Sequence, residues 1–327
     1  MINLIGFEKE YSDLLNRFNS KNLSSSIIIH GLYGIGKRTF LNSFIKDIIN
    51  IEFKNNNLDH HINLIKNNTH PNVKIIEKVI DSKTGKLKSN INIDQIRKLK
   101  NFLNSTSMYD NSSKIVIIDT ADDFNISSSN SILKILEESR ENTYIFLISN
   151  QISKLLPTIR SRCLKIKLNN HNFSNFSKIV KNNIDEILNE ELNFYFQLTH
   201  GSPGMSMMYY KNNFMDIYQL TIQCLLSNYL NKNKINLSNI LLKLNDNEFS
   251  NYLSMLKFIL IVTNKLKVNK NDENIVSIPN YKELELLSEN LTRKNLIDRF
   301  DYLINNQDEL FNLNLDKKVF ILNFLDQ

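Results

Sequence analysis

The chain has 327 residues, 42% hydrophobic and 23% charged, which suits two or three folded domains and excludes a disordered chain. A net charge of +6 permits contact with nucleic acid without requiring it, because the lysines are scattered and form no dense basic block. Cysteines occur only at Cys163 and Cys224, which excludes a disulfide framework and a four-cysteine zinc module and suits a reducing cytoplasm.

The opening stretch MINLIGFEKEY carries acidic residues and no long apolar run, unlike a secretory leader. Ser26–His30 (SIIIH) is a short β-branched run, and RTFLNSFIKDII after it has apolar residues at helical spacing. NVKIIEKVI predicts a second strand, followed by the turn-rich DSKTGKLKSN. Ile93–Asn104 predicts an amphipathic helix with Asp94 as its cap. Lys114–Asp119 (KIVIID) predicts a buried strand ending in a carboxylate, SSSNSILKILEES a capped helix, and Thr143–Ser149 a further buried strand. SRCLKIKL closes the series. Strands this apolar, alternating with helices, predict an α/β fold with a mostly parallel sheet covered on both faces.

Beyond Asn169 the strand pattern stops. Amphipathic helices follow, broken at His200–Met205 (HGSPGM) and near Asn271–Tyr281. The most apolar stretch, YLSMLKFILIVTNKL, is interrupted by Lys257 and too short to span a bilayer, so no membrane partner is expected.

GLYGIGKRTF (Gly31–Phe40) lies between the first strand and the helix after it. In a phosphate-binding loop, backbone N–H groups at such a turn surround the phosphates, a lysine reaches the β/γ oxygens, and the next Ser/Thr holds magnesium. Gly31, Gly34 and Gly36 supply the turn and Lys37 is in place, but Arg38 occupies the metal-ligand position and Thr39 comes one residue late. A glycine turn joining strand to helix is the plainer alternative. Nucleotide hydrolysis also needs a strand-terminal carboxylate and a neighbouring acid to orient water. Asp119 provides the first, Thr120 replaces the second, and Asp122 and Asp123 are expected on the following turn.

Ser161, Arg162 and Cys163 precede the last strand. An arginine there can reach a neighbouring subunit's phosphates, an arrangement worth about 10³–10⁵ in rate; an arginine pairing with a local acid is the alternative. Cys163 has no histidine placed to activate it and reads as an apolar filler. His60, His61 and His70 read as loop histidines at the surface or core edge, with no cysteine or acid cluster to join them as metal ligands.

The run from Ile115 to Cys163, with its NSILKILEE and LLPTIRSRC segments, resembles the delta-prime clamp-loader subunits of bacterial DNA polymerase III, within the AAA+ family. Ser139 and Arg140 stand where that family has two prolines. THPNV, INIDQIR, HGSPGM and NLNLDKK match further family segments, so the resemblance extends over nearly the whole chain. It implies a RecA-like α/β domain over residues 1–168, a small helical lid over 169–207 and an all-α collar over 208–327. It implies a cytoplasmic stationary subunit, working in DNA replication beside gamma/tau-type motor subunits, a delta subunit, the sliding clamp and primed DNA. Arg162, within the family's Ser-Arg-Cys motif of Ser161 to Cys163, becomes an arginine finger offered in trans to the adjacent motor subunit. Asn150, or Ser149, falls at the family's polar sensor position, and Gly204 stands where motor subunits carry a sensor arginine. With Arg38, Thr120 and Gly204 all departing from the motor pattern, weak or absent ATPase activity is expected of this chain alone. No cofactor is expected to be required, and the missing cysteines argue against the zinc module of motor subunits. An active ATPase with a variant loop, binding ATP and magnesium, is the alternative.

Overall fold

The computed structural model describes residues 4–53, 57–81, 85, 87–105, 112–138, 141–227, 232–270 and 276–326. The chain divides into two compact units, Met1–Asn175 and Phe176–Gln327.

The first unit is built on a five-stranded parallel sheet. Its strands are β1 (Ser26–His30), β2 (Val73–Glu77), β3 (Lys114–Asp119), β4 (Thr143–Ser149) and β5 (Leu164–Lys167), in the order β2-β3-β4-β1-β5. Ile115, Ile117, Phe146 and Ile148 face one core, whereas Val116, Ile118, Ile145 and Leu147 face the other. This period-two alternation of apolar residues on both faces is why the strands read as continuous hydrophobic runs.

One face is covered by α1 (Glu8–Asn19) and α2 (Lys37–Phe53), with Phe40, Phe44 and Ile48 of α2 fully buried. The Tyr11 hydroxyl donates to Asp47 Oδ2 at 2.5 Å and ties α1 to α2. The other face carries α4 (Ile93–Asn104), α5 (Ile126–Glu137) and α6 (Pro157–Arg162). Two sequence expectations are corrected here. The cap of α4 is Asn92, not Asp94: Asn92 Oδ1 accepts from the Gln95 N–H at 3.1 Å and Gln95 Oε1 accepts from the Asn92 N–H at 3.2 Å. A cap needs extended backbone just outside the helix, and Asp94 already lies within the first turn. His60 and His61 lie on a helix, α3 (Leu58–Lys66), rather than in a loop.

Among its described residues the second unit is built of helices, with no strand. After α7 (Phe173–Lys181), which crosses the division, come α8 (Asn189–Leu198), α9 (Pro203–Lys211), α10 (Phe214–Leu226), α11 (Lys232–Leu241) and α12 (Asp246–Leu266). Then follow α13 (Tyr281–Asn290), α14 (Arg293–Asn312) and α15 (Lys317–Leu325). Their buried apolar residues form one continuous core from Phe176 to Leu325, so residues on both sides of position 208 share it. The HGSPGM break is a tight turn in which His200 and Gly201 have positive φ and Ser202 caps α9. Among the described residues no helix is long and apolar enough to cross a membrane.

Candidate functional site

The strand-to-helix turn expected from the glycines is present. Gly31 approaches β5 so closely that a Cβ there would lie 2.3 Å from the Leu168 carbonyl oxygen, which only glycine tolerates. Gly34 and Gly36 have φ of 78° and 102°, and α2 starts at Lys37. The buried His171 donates from Nε2 to the Ile35 carbonyl at 2.9 Å and holds the loop in place.

Lys37 does not point away from this loop. Its Nζ donates to the carbonyls of Gly31 at 2.8 Å and Leu32 at 2.6 Å, and to Asn150 Oδ1 at 2.7 Å. An ammonium has three N–H groups, and here each has an acceptor from the chain itself. Lys37 is only 4% exposed. Burial pushes its pKa down to about 8, opposed by the Asp122 and Asp119 carboxylates.

The three nearby carboxylates are likewise engaged. Arg38 Nη1 donates to Asp119 Oδ2 at 3.0 Å while Arg38 Nε donates to Asn42 Oδ1 at 3.2 Å. Asp122 sits on the short 3₁₀ turn after β3 and accepts from Ser149 Oγ at 2.6 Å, the Asn150 N–H at 2.5 Å and the Gln151 N–H at 3.2 Å. Asp123 accepts from Thr120 Oγ1 at 3.0 Å and pairs with Lys78 at 3.2 Å. Asn150 and Ser149, both candidates for the polar sensor, are therefore joined to the cluster: Asn150 through Lys37 and Asp122, Ser149 through Asp122. Thr39 is exposed on α2, one position beyond the metal-ligand place. A metal at that place would need Asp119 and a neutral oxygen ligand, and it meets a guanidinium instead. These residues do not fit a magnesium ion.

Arg162 ends α6. Ile159 is fully buried and Cys163 is 8% exposed, both within the core that includes Ile132, Ile135 and Leu136 of α5. Burial pushes the Cys163 thiol up to about 12, so it stays protonated and serves as packing. Ser161 is exposed, and its hydroxyl donates to the Thr158 carbonyl at 3.0 Å. Arg162 Nη1 also donates to the Thr158 carbonyl, at 3.0 Å, and its Nη2 lies 2.7 Å from Glu137 Oε1 at the end of α5. The Arg162 side chain remains 37% exposed. Gly204 lies in the first turn of α9. Ser139 and Arg140 lie outside the described residues.

Two further histidines form a pair that the sequence reading did not join. His61 Nδ1 and His70 Nε2 are 3.0 Å apart, and His70 Nδ1 accepts from the Asn72 N–H at 3.1 Å. The neutral His70 therefore carries its proton on Nε2 and donates to His61. Both rings are buried, and burial lowers His70 to about 4. Among the described residues no group of three or more histidine, cysteine or acidic side chains is placed to hold a metal ion. Asp122 and Glu137 are the site residues whose roles sequence reasoning missed. Their only signal is an acid next to a motif, and such acids are usually solvated.

The family model described as "DNA polymerase III, delta subunit" matches residues 7–172. The DNA polymerase III subunit delta' of Pseudomonas aeruginosa is 36% identical over 102 residues, 31% of this chain and 29% of that protein. That of Haemophilus influenzae is 25% identical over 155 residues, 47% of this chain and 45% of the relative. Replication factor C subunit 3 of Schizosaccharomyces pombe is 30% identical over 76 residues, 23% of this chain and 22% of the relative. Each match spans less than half of the relative's own length. Among solved structures, a DNA polymerase III gamma subunit-related protein of Thermotoga maritima aligns over 90% of this chain and 98% of its own, at 20% identity and a TM-score of 0.40.

Proposed function

This chain belongs to the DNA polymerase III delta-subunit family, and we propose that it is a delta-prime-type clamp-loader subunit that supports a neighbour's ATP hydrolysis rather than its own. The observation that carries this reading is the Arg38–Asp119 ion pair, which puts a fixed positive charge where a hydrolysing site needs a metal. Lys37 supports it, since its N–H groups are already spent on Gly31, Leu32 and Asn150. Within this reading the loop and the Asp122 turn brace the sheet, and the second unit supplies the lid and collar that assemble with motor subunits and a delta subunit. The assembly places the sliding clamp on primed DNA. Arg162 is the arginine finger: it is partly exposed on a well-anchored helix end, and its guanidinium stabilises the charge that develops on a neighbour's γ-phosphate.

The test is steady-state ATPase of the reconstituted assembly with clamp and primed DNA. Arg162→Ala is expected to lower hydrolysis at the site it faces by about 10³-fold or more, leaving a small residual rate, and an unchanged DNA-stimulated rate would sink the finger assignment. Binding of ATP with magnesium by the isolated chain, lost in Lys37→Ala, would instead favour an autonomous ATPase.

A further inference from the structure

We propose that Glu137 is the positioning residue of the Arg162 finger, setting the direction of its guanidinium before a neighbour's phosphate arrives. The inference rests on the reading of Arg162 given above. Glu137 ends α5, and its Oε1 lies 2.7 Å from Arg162 Nη2, while the Thr158 carbonyl takes Nη1 at 3.0 Å. Two acceptors on two different elements fix the plane of a guanidinium, which a single one does not. Among the described residues the remaining N–H groups have no acceptor, and the side chain keeps 37% of its surface exposed to meet an anion.

Stability is a poor explanation for this contact. Glu137 is 53% exposed, and an ion pair so open to water contributes little to folding. The next residue, Glu138, pairs with Lys100 at 3.5 Å, whereas Glu137 pairs with Arg162. The supporting frame is rigid. Ile159 and Cys163 pack with Ile132, Ile135 and Leu136, so α6 and the last turn of α5 share one core and carry the two charges on a common base. The C-terminal end of α5, where Glu137 stands, carries its own partial negative charge. An arginine side chain otherwise spreads over many rotamers, and holding it in one removes that entropy from the step in which it must reach phosphate.

The experiment compares Glu137→Gln, Glu137→Asp, Glu138→Gln and Arg162→Ala in the reconstituted assembly, with magnesium ATP, clamp and primed DNA. Glu137→Gln is expected to lower kcat at the affected site about three- to tenfold with KM for ATP nearly unchanged, because the contact orients a group used only in the transition state. Glu137→Asp should recover part of the loss, and Glu138→Gln should leave kcat as it is. Added to Arg162→Ala, Glu137→Gln should cost nothing more. An unchanged or raised kcat in Glu137→Gln, while Arg162→Ala is impaired, overturns the positioning role and leaves the finger standing. A loss that adds to that of Arg162→Ala overturns it too. If Arg162→Ala itself has no effect, the finger reading and this inference fall together.

Discussion

Arg38 Nη1 lies 3.0 Å from Asp119 Oδ2, so the carboxylate that ends β3 is neutralised by the side chain standing in the metal-ligand position of the loop. The two residues are 81 positions apart, and the parallel sheet brings them together by placing β3 one strand away from β1 across β4. A guanidinium so placed repels a divalent cation and removes one of its ligands at the same time. We expect the melting temperature of the native chain to be insensitive to EDTA and to magnesium ATP. In Arg38→Ser, which frees Asp119 and restores a hydroxyl, magnesium ATP should raise the melting temperature by about 2–4 °C. Thermal unfolding followed by circular dichroism checks this, and an equal response in both chains would show that Arg38 is not what excludes the metal.

Asp122 is the bracket of the site. It accepts from Ser149, Asn150 and Gln151, and so fixes the end of β4 that presents Asn150 to Lys37. Hydrogen bonds to a charged acceptor are stronger than neutral ones, and their loss leaves the partly buried Asn150 N–H and Ser149 hydroxyl without this acceptor. Asp122→Ala should cost about 2 kcal/mol in urea denaturation of the chain. Exposed Asp94, which pairs with Arg97 three residues on, should tolerate the same change within about 0.5 kcal/mol.

The buried lysine predicts an alkaline signature. Lys37 has its pKa lowered from 10.5 to about 8 by burial. Between those values the unfolded chain holds a proton that the folded chain has released, so folding becomes more favourable as pH rises through this window. Urea midpoints of the native chain should climb across it relative to Lys37→Met, whose midpoints lack this contribution. Parallel curves for the two proteins would mean that the ammonium is better compensated than its surroundings suggest.

The histidine pair predicts the opposite edge. His70 is lowered from 6.5 to about 4, and His61 is lowered as well, each chiefly by burial and then by the neighbouring histidines. In that interval the unfolded chain binds protons that the folded pair cannot accept, so stability is lost as pH falls from 6.5 toward 4. His70→Asn should be less stable at neutral pH, having lost its contact with His61, yet show a shallower acid dependence. Denaturation midpoints at about pH 7 and about pH 5 decide it, and an unaltered slope would remove His70 from the account.

Much of the first unit was legible without coordinates because its strands are buried on both sides. Ile27, Ile28 and Ile29 leave no polar face to confuse the reading, and the same holds for Ile115–Ile118. Helix α1 escaped notice because Leu14 is its one fully buried residue, and Tyr11, Leu15 and Phe18 are only partly buried among charged and polar neighbours. Helix α3 escaped because its neighbourhood is rich in asparagine and histidine, which read as loop. Asp94 was mistaken for a cap because an acid early in a helix looks alike at the cap and in the first turn.

The sequence by itself determined the glycine turn, the lysine at the start of α2, the carboxylate at the end of β3 and the Ser-Arg-Cys run. Each is a local pattern whose spacing follows from the period of a strand or a helix. Which of these groups neutralises which was decided only by the tertiary structure. Lys37 meets Asn150 across 113 residues, Arg38 meets Asp119 across 81, and Arg162 meets Glu137 because α5 and α6 share a core. Pairings between distant charges depend on strand order and helix packing, and neither has a period that can be read along the chain.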